Sequence, residues 1–133
     1  MFFPVTHSID KENIMWNANS AVSYARQHAG AHSQKRCAEF VSKAIRAGGA
    51  NIHNTHYAKD MKSNLIAAGF HLVYGTPIKG DVAVIQPIPG HPWGHACIYS
   101  GSGVWYSDFV QSSMYPGKGY REIQPAYEIY RHN

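Results

Sequence analysis

Among the two cysteines and nine histidines of the sequence, Cys37 and His95 are placed to act together. Cys37 follows Lys35 and Arg36 near the start of a predicted helix, where unpaired N–H groups and the helix dipole favour an anion and so predict a lowered thiol pKa. A lone cysteine there is also a plausible small core residue; a thiolate nucleophile needs a base within hydrogen-bond reach. Gly94-His95-Ala96-Cys97-Ile98-Tyr99 supplies one, with His95 at the first position of a predicted strand behind a rigid loop. If His95 faces the helix, Cys97 lies deeper on the same side as a small core residue, leaving Cys37 as the nucleophile. His91 is a competing base, but it precedes Pro92 within the loop. Asp108, on the hairpin partner of the His95 strand, is the candidate third group that orients the imidazole, while Ser107 points to the opposite face.

These residues require particular elements to position them. Asn13 to Ala29 carries Ile14, Ala18, Ala21, Val22, Ala25 and Ala29 at helical steps and ends at Gly30. Ser33 is the expected N-cap of the next helix, in which Cys37, Phe40, Val41, Ala44, Ile45 and Gly48 share one face before Gly48-Gly49. A third helix is predicted over roughly 56–68, ending at Gly69. The period then changes from about 3.6 to 2, predicting strands at Phe70 to Tyr74, Asp81 to Gln86, His95 to Ser100, Val104 to Phe109 and Tyr127 to Arg131. Gly101-Ser102-Gly103 turns the third into the fourth. Pro87 to Gly94 is the rigid loop that delivers His95. Helices first and strands second is an α+β order.

Composition fits one domain over residues 1–133, with 1–12 as an extended arm. The chain is 44% hydrophobic and 13% aromatic, too rich for a disordered chain. No apolar run approaches the ~20 residues of a membrane helix, so membrane insertion is not expected. The first ten residues lack the basic start and long apolar stretch of a signal peptide. A net charge of +4 with scattered basic residues is too mild to predict nucleic-acid binding.

Three segments carry a family resemblance: Ser33-Gln-Lys-Arg-Cys37 through Gly49, Lys79-Gly-Asp-Val-Ala-Val-Ile85, and Gly94-His-Ala-Cys-Ile-Tyr-Ser-Gly101. In order and spacing they resemble the nucleophile helix, the Gly-Asp-entered strand and the histidine strand of the CHAP and NlpC-type cysteine amidases. Val104-Trp-Tyr-Ser-Asp-Phe109, with Met114 to Gly117 and Tyr120-Arg121 behind it, looks like the small bacterial peptidoglycan amidase effectors of type VI secretion. The resemblance implies a papain-like fold, helices packed on a C-terminal antiparallel sheet, and hydrolysis of a stem-peptide amide without cofactor or metal. Cys37 would be the nucleophile, His95 the base and Asp108 the orienting group, with Tyr24, His91 and Trp93 as substrate-binding candidates. It also implies a monomer made in the cytoplasm and delivered to a target cell wall, facing an immunity protein as inhibitor.

Other chemistries fit less well. His91 and His95 have the i, i+4 spacing of a zinc pair, with His53 or His56 as supplements, but Pro92 and Gly94 keep that segment from being the helix such a pair needs. A wall-binding module without activity would use Trp93, Trp105, Tyr106 and Tyr115, yet leaves the cysteine–histidine pairing unexplained. A ribonuclease toxin would be expected to carry a clustered basic stripe.

Overall fold

The computed structural model describes residues 15–133, so the arm expected over 1–12 lies outside the described residues. Helix α1 (Ala18–His28) begins at Asn17, whose side chain accepts the Ser20 N–H at 3.0 Å, and buries Ala21, Val22 and Ala25. Helix α2 (Cys37–Ala47) buries Ala38, Val41, Ala44 and Ile45. The two cross closely where Gly48 ends α2: a Cβ there would stand 2.5 Å from the Trp16 ring and 2.8 Å from Ala21 Cβ, so only glycine fits.

The helix predicted over 56–68 divides into a 3₁₀ turn (Ala58–Asp60) and a short α3 (Lys62–Ala67). The Lys59 N–H donates to the Trp93 carbonyl at 2.9 Å, a bond to the neighbouring loop where a continuous helix would spend it on its own ladder.

Strands β1 (Phe70–Val73), β2 (Val82–Ile85), β3 (His95–Tyr99), β4 (Trp105–Tyr106), β5 (Val110–Gln111) and β6 (Tyr127–His132) form one sheet in the order β1-β6-β2-β3-β4-β5, antiparallel at each pairing. The fold is α+β, helices against an antiparallel six-stranded sheet, as the sequence predicts. The strand expected over 104–109 is shorter: after Tyr106 the chain turns, Ser107 N–H bonding the Phe109 carbonyl at 3.0 Å, and returns as β5. A fourth helix, α4 (Lys118–Ile123), carries no clear sequence signal, because it is one and a half turns long, contains Gly119 and buries only Tyr120.

The sheet has two apolar faces. Val82, Val84, Ala96, Ile98, Tyr106 and Tyr130 pack against α1 and α2, whereas Ala83, Ile85, Cys97, Trp105 and Ile129 pack on the other side with Ile88 and Tyr120. Cys97 is therefore buried on the face away from α1 and α2, because alternation along β3 gives the α1–α2 side to Ala96 and Ile98. No helix among the described residues is long and apolar enough to cross a membrane.

One ion pair crosses the sheet. Asp81, fully buried at the entrance to β2, accepts Arg131 Nε at 2.9 Å and Nη2 at 2.8 Å from β6, and the Ile78 N–H at 2.8 Å. Truncating Arg131 strands a buried carboxylate, whereas truncating Asp81 leaves a guanidinium that is already partly exposed. Arg131→Leu is expected to cost about 3–5 kcal/mol in urea unfolding, and more than Asp81→Asn; equal small losses would show that the pair is solvated.

Candidate active site

Cys37 is the first residue of α2, and no side chain caps that helix from Arg36. Ser33, the expected N-cap, instead accepts the Lys35 N–H at 3.4 Å within the preceding loop. The loop is held from across the molecule: Asp108 Oδ2 accepts the N–H groups of Gln34 (2.5 Å) and Arg36 (3.1 Å), while Gln34 Nε2 and the Gly30 N–H donate to the Asp108 carbonyl at 3.0 and 2.8 Å. Converging on one carboxylate oxygen, the two N–H groups bend the backbone enough to place Lys35 at φ 58°, in the left-handed region.

His95 opens β3 directly after Gly94. Gly94 has φ 74°, and a Cβ there would lie 2.5 Å from the Ile85 carbonyl oxygen, so the loop can enter β3 only through glycine. The imidazole Nε2 lies 2.8 Å from Gln111 Oε1. Gln111 Nε2 donates to the carbonyls of Ser113 and Met114, each at 3.0 Å, which fixes its amide with the oxygen toward His95. The Nε2 of His95 therefore carries its proton, and Nδ1 is the basic nitrogen. The orienting bond expected from Asp108 is made by Gln111 instead: Asp108 Oδ2 holds the loop before α2, Oδ1 is buried without a hydrogen-bond partner, and the carboxylate reaches His95 through its charge.

Burial governs the protonation of both groups. It pushes the Cys37 thiol up to about 11, with the Asp108 charge adding to the rise; the backbone N–H groups of Ala96, Ala38 and Cys37 itself favour thiolate and are outweighed. The sequence-based expectation of a lowered thiol pKa is corrected accordingly. Arg36 adds little to the thiolate side, since its guanidinium is paired with Glu39 at 3.0 and 2.5 Å. Burial also lowers His95 below its ordinary value, opposed by the Gln111 bond and the Asp108 charge and assisted by His91. Both shifts run against a resting thiolate–imidazolium pair. Cys97, its sulfur 3.7 Å from the Met114 carbonyl, is pushed further up by complete burial.

Cys37, His95 and Asp108 line one cleft of about 280 Å³, together with Ser33, Lys35, His56, His91 and Trp93. His91 and Trp93 thus line the same cleft as Cys37 and His95. Tyr24 does not line it: its ring stacks on His28 at 3.8 Å, and it borders a separate depression with Asn17 and Gln27. Among the described residues no three His, Cys, Asp or Glu side chains are grouped to hold a metal.

No family model matches the chain, and neither does any curated protein. Among solved structures it is similar to the native type VI effector–immunity complex Tae3–Tai3 from Ralstonia pickettii, at 50% identity and TM-score 0.85 over 89% of this chain and 100% of that one. A selenomethionine form of the same complex matches at 53% identity and TM-score 0.80, over 84% and 98% of the two chains. Ly7917 shares the fold at 17% identity and TM-score 0.55, over 87% of this chain and 62% of its own.

Two outcomes follow from the geometry. At pH 7 the protein is expected to show no thiolate absorbance at 240 nm relative to Cys37→Ala, the signal appearing only toward pH 11; a full thiolate signal at neutral pH would mean that a standing ion pair overrides burial. Asp108→Ala is expected to lower Tm measurably, because two backbone N–H groups lose their acceptor at about 1–3 kcal/mol each where buried. An unchanged Tm would place the clamp in solvent.

Proposed function

The chain belongs to the Tae3 family of type VI effectors, and from that premise we propose that it is a cysteine amidase hydrolysing an amide bond in the peptidoglycan stem peptide. The observation that carries the proposal is the pairing, in one cleft, of a helix-start thiol with a histidine whose Nε2 is locked on a fixed amide oxygen. That is the arrangement acyl transfer needs. The resemblance of the Cys37, Asp81 and His95 segments to CHAP and NlpC-type amidases supports the same reading.

In the proposed mechanism the Cys37 sulfur attacks the amide carbonyl while its proton passes to His95 Nδ1. Both partners begin neutral, so charge develops only as the sulfur–carbon bond forms, and Gln111 and the Asp108 carboxylate stabilise the imidazolium. The first-turn N–H of Cys37 receives the developing oxyanion. The carbon–nitrogen bond then breaks, His95 gives its proton to the departing amine, and a thioester remains. Water, deprotonated by His95, attacks that thioester, releasing the carboxylate and restoring the thiol. Gln111 and Asp108 are positioning residues, and His91 and Trp93 contact substrate.

As an effector the protein acts in the wall of a target bacterium after delivery. The Ralstonia pickettii relative was crystallised with its immunity protein Tai3, and a cognate immunity protein is proposed as the partner here.

Mass spectrometry of muropeptides is expected to show new amide cleavage with the intact protein and none with Cys37→Ala, while Cys97→Ser remains active. Cleavage by Cys37→Ala would overturn the thiol mechanism. Because burial lowers His95, its basic form persists into mild acid, so kcat/KM should rise with pH through a midpoint below 6.5 and stay level at neutrality. Gln111→Leu should lower kcat by about 10²–10⁴, as loss of an orienting group does in related triads.

A further inference from the structure

Tyr57 and Trp93 form an aromatic pair at the mouth of the cleft. Their rings stack at 4.0 Å between centroids and 16° between planes, yet Tyr57 is 38% and Trp93 51% exposed. Trp93 lines the cleft together with His56 and Ala58, the residues flanking Tyr57, and it stands two positions before His95. The pair is held in place: the Trp93 carbonyl accepts the Lys59 N–H at 2.9 Å, the Lys59 ammonium lies 5.9 Å from the Tyr57 ring centre, and Gly94 pins the loop against the Ile85 carbonyl. Held side by side at the rim of the cleft, the two rings offer a fixed aromatic face to whatever enters it.

We propose that the Tyr57–Trp93 pair is a saccharide-binding platform that seats a sugar ring of the glycan strand carrying the scissile peptide. The inference rests on the amidase reading above, and deepens it by assigning the glycan as part of what the enzyme recognises. A pyranose ring is amphipathic, with C–H faces that lie on aromatic planes and hydroxyl and amide groups at its edge. The platform is amphipathic in the same way. Polar groups stand beside it: His56 next to Tyr57, the Lys59 ammonium over its ring, and Lys35 and His91 lining the same cleft, groups suited to the polar edge of a sugar and poorly suited to an apolar protein surface. The sugar and the stem peptide are covalently joined, so a peptide cut near its attachment to the sugar brings that sugar to the cleft mouth.

The test compares a disaccharide-linked stem peptide with the same peptide lacking sugar. Binding is measured by titration calorimetry on the Cys37→Ala protein, and kcat/KM on the Cys37-containing protein. The disaccharide form is expected to bind roughly five- to tenfold more tightly, the size of one aromatic contact. That ratio should fall toward one in Trp93→Ala and Tyr57→Ala and be largely kept in Trp93→Phe. Both positions are exposed, so circular dichroism and Tm are expected to be unchanged. A ratio near one with the native pair, a ratio that survives Trp93→Ala, or equal losses on both ligands would overturn the proposal, the last outcome assigning the platform to the peptide. The calorimetric arm needs no turnover: a sugar-dependent ratio in a protein that cleaves neither ligand would sink the amidase reading and leave the platform standing.

Discussion

The buried carboxylate of Asp108 and the three residues after it hold both halves of the site. Asp108 ties down the loop that precedes Cys37 through its side chain and its carbonyl, and the next residues extend the grip, Val110 N–H donating to the Gly30 carbonyl at 3.1 Å. Gln111 then reaches His95. A segment of four residues therefore sets the separation of Cys37 and His95, although the two lie 58 positions apart in the chain. The central strands β2 and β3 supply rigidity, but they locate only His95. Cys37 is located by α2 and by what holds the start of α2, which is the Asp108 clamp.

That clamp has an electrostatic consequence. A carboxylate beside a buried thiol makes thiolate harder to form, and the same carboxylate beside a buried imidazole makes imidazolium easier. Burial moves the two groups in opposite directions from what a resting ion pair requires, and it dominates both shifts. The Asp108 charge thus partly offsets burial at the imidazole and adds to it at the sulfur. In the proposed acyl transfer the imidazolium would persist while the negative charge moves from sulfur to the carbonyl oxygen, so a fixed anion near the imidazole would serve that reaction better than one that stabilises the thiolate.

The sequence makes visible whatever is periodic. The two long helices, the buried strands β2 and β3 and the hairpin through Gly101 to Gly103 each repeat apolar residues at the spacing of their element, and Cys37 and His95 fall at their starts, where chemistry is usually placed. Asp108 was legible as a residue near His95, since the hairpin register Ile98 to Tyr106 carries it there, but not the direction of its carboxylate, which depends on a loop more than 70 positions away. Gln111 was hidden for a different reason. Strand β5 has two residues, too few to show alternation, and a glutamine among serines reads as loop. The faint signal was the polar run Gln111-Ser112-Ser113 between Val110 and Met114, which is what a turn laced by side-chain bonds looks like in sequence. Tyr24 lies outside the cleft because a tyrosine on α1 can stack on His28 four residues later, a local partner nearer than the cleft.

Glutamine at 111 is matched to both of its tasks. From an edge strand, its side chain must present an acceptor to His95 and two donor hydrogens to the Ser113 and Met114 carbonyls, and a primary amide alone among side chains offers one group of each kind on a single carbon. Glutamate would supply the acceptor but turn its second oxygen on two carbonyl oxygens; asparagine, one methylene shorter, would have to give up one side. The turn it ties is itself braced, by Ser113 Oγ on the Tyr115 carbonyl at 2.9 Å and the Tyr115 hydroxyl on the Pro125 carbonyl at 2.6 Å. The orientation of the His95 imidazole is therefore held by a chain of side-chain bonds along the sheet edge, which compensates for an edge strand too short to hold it by backbone pairing alone.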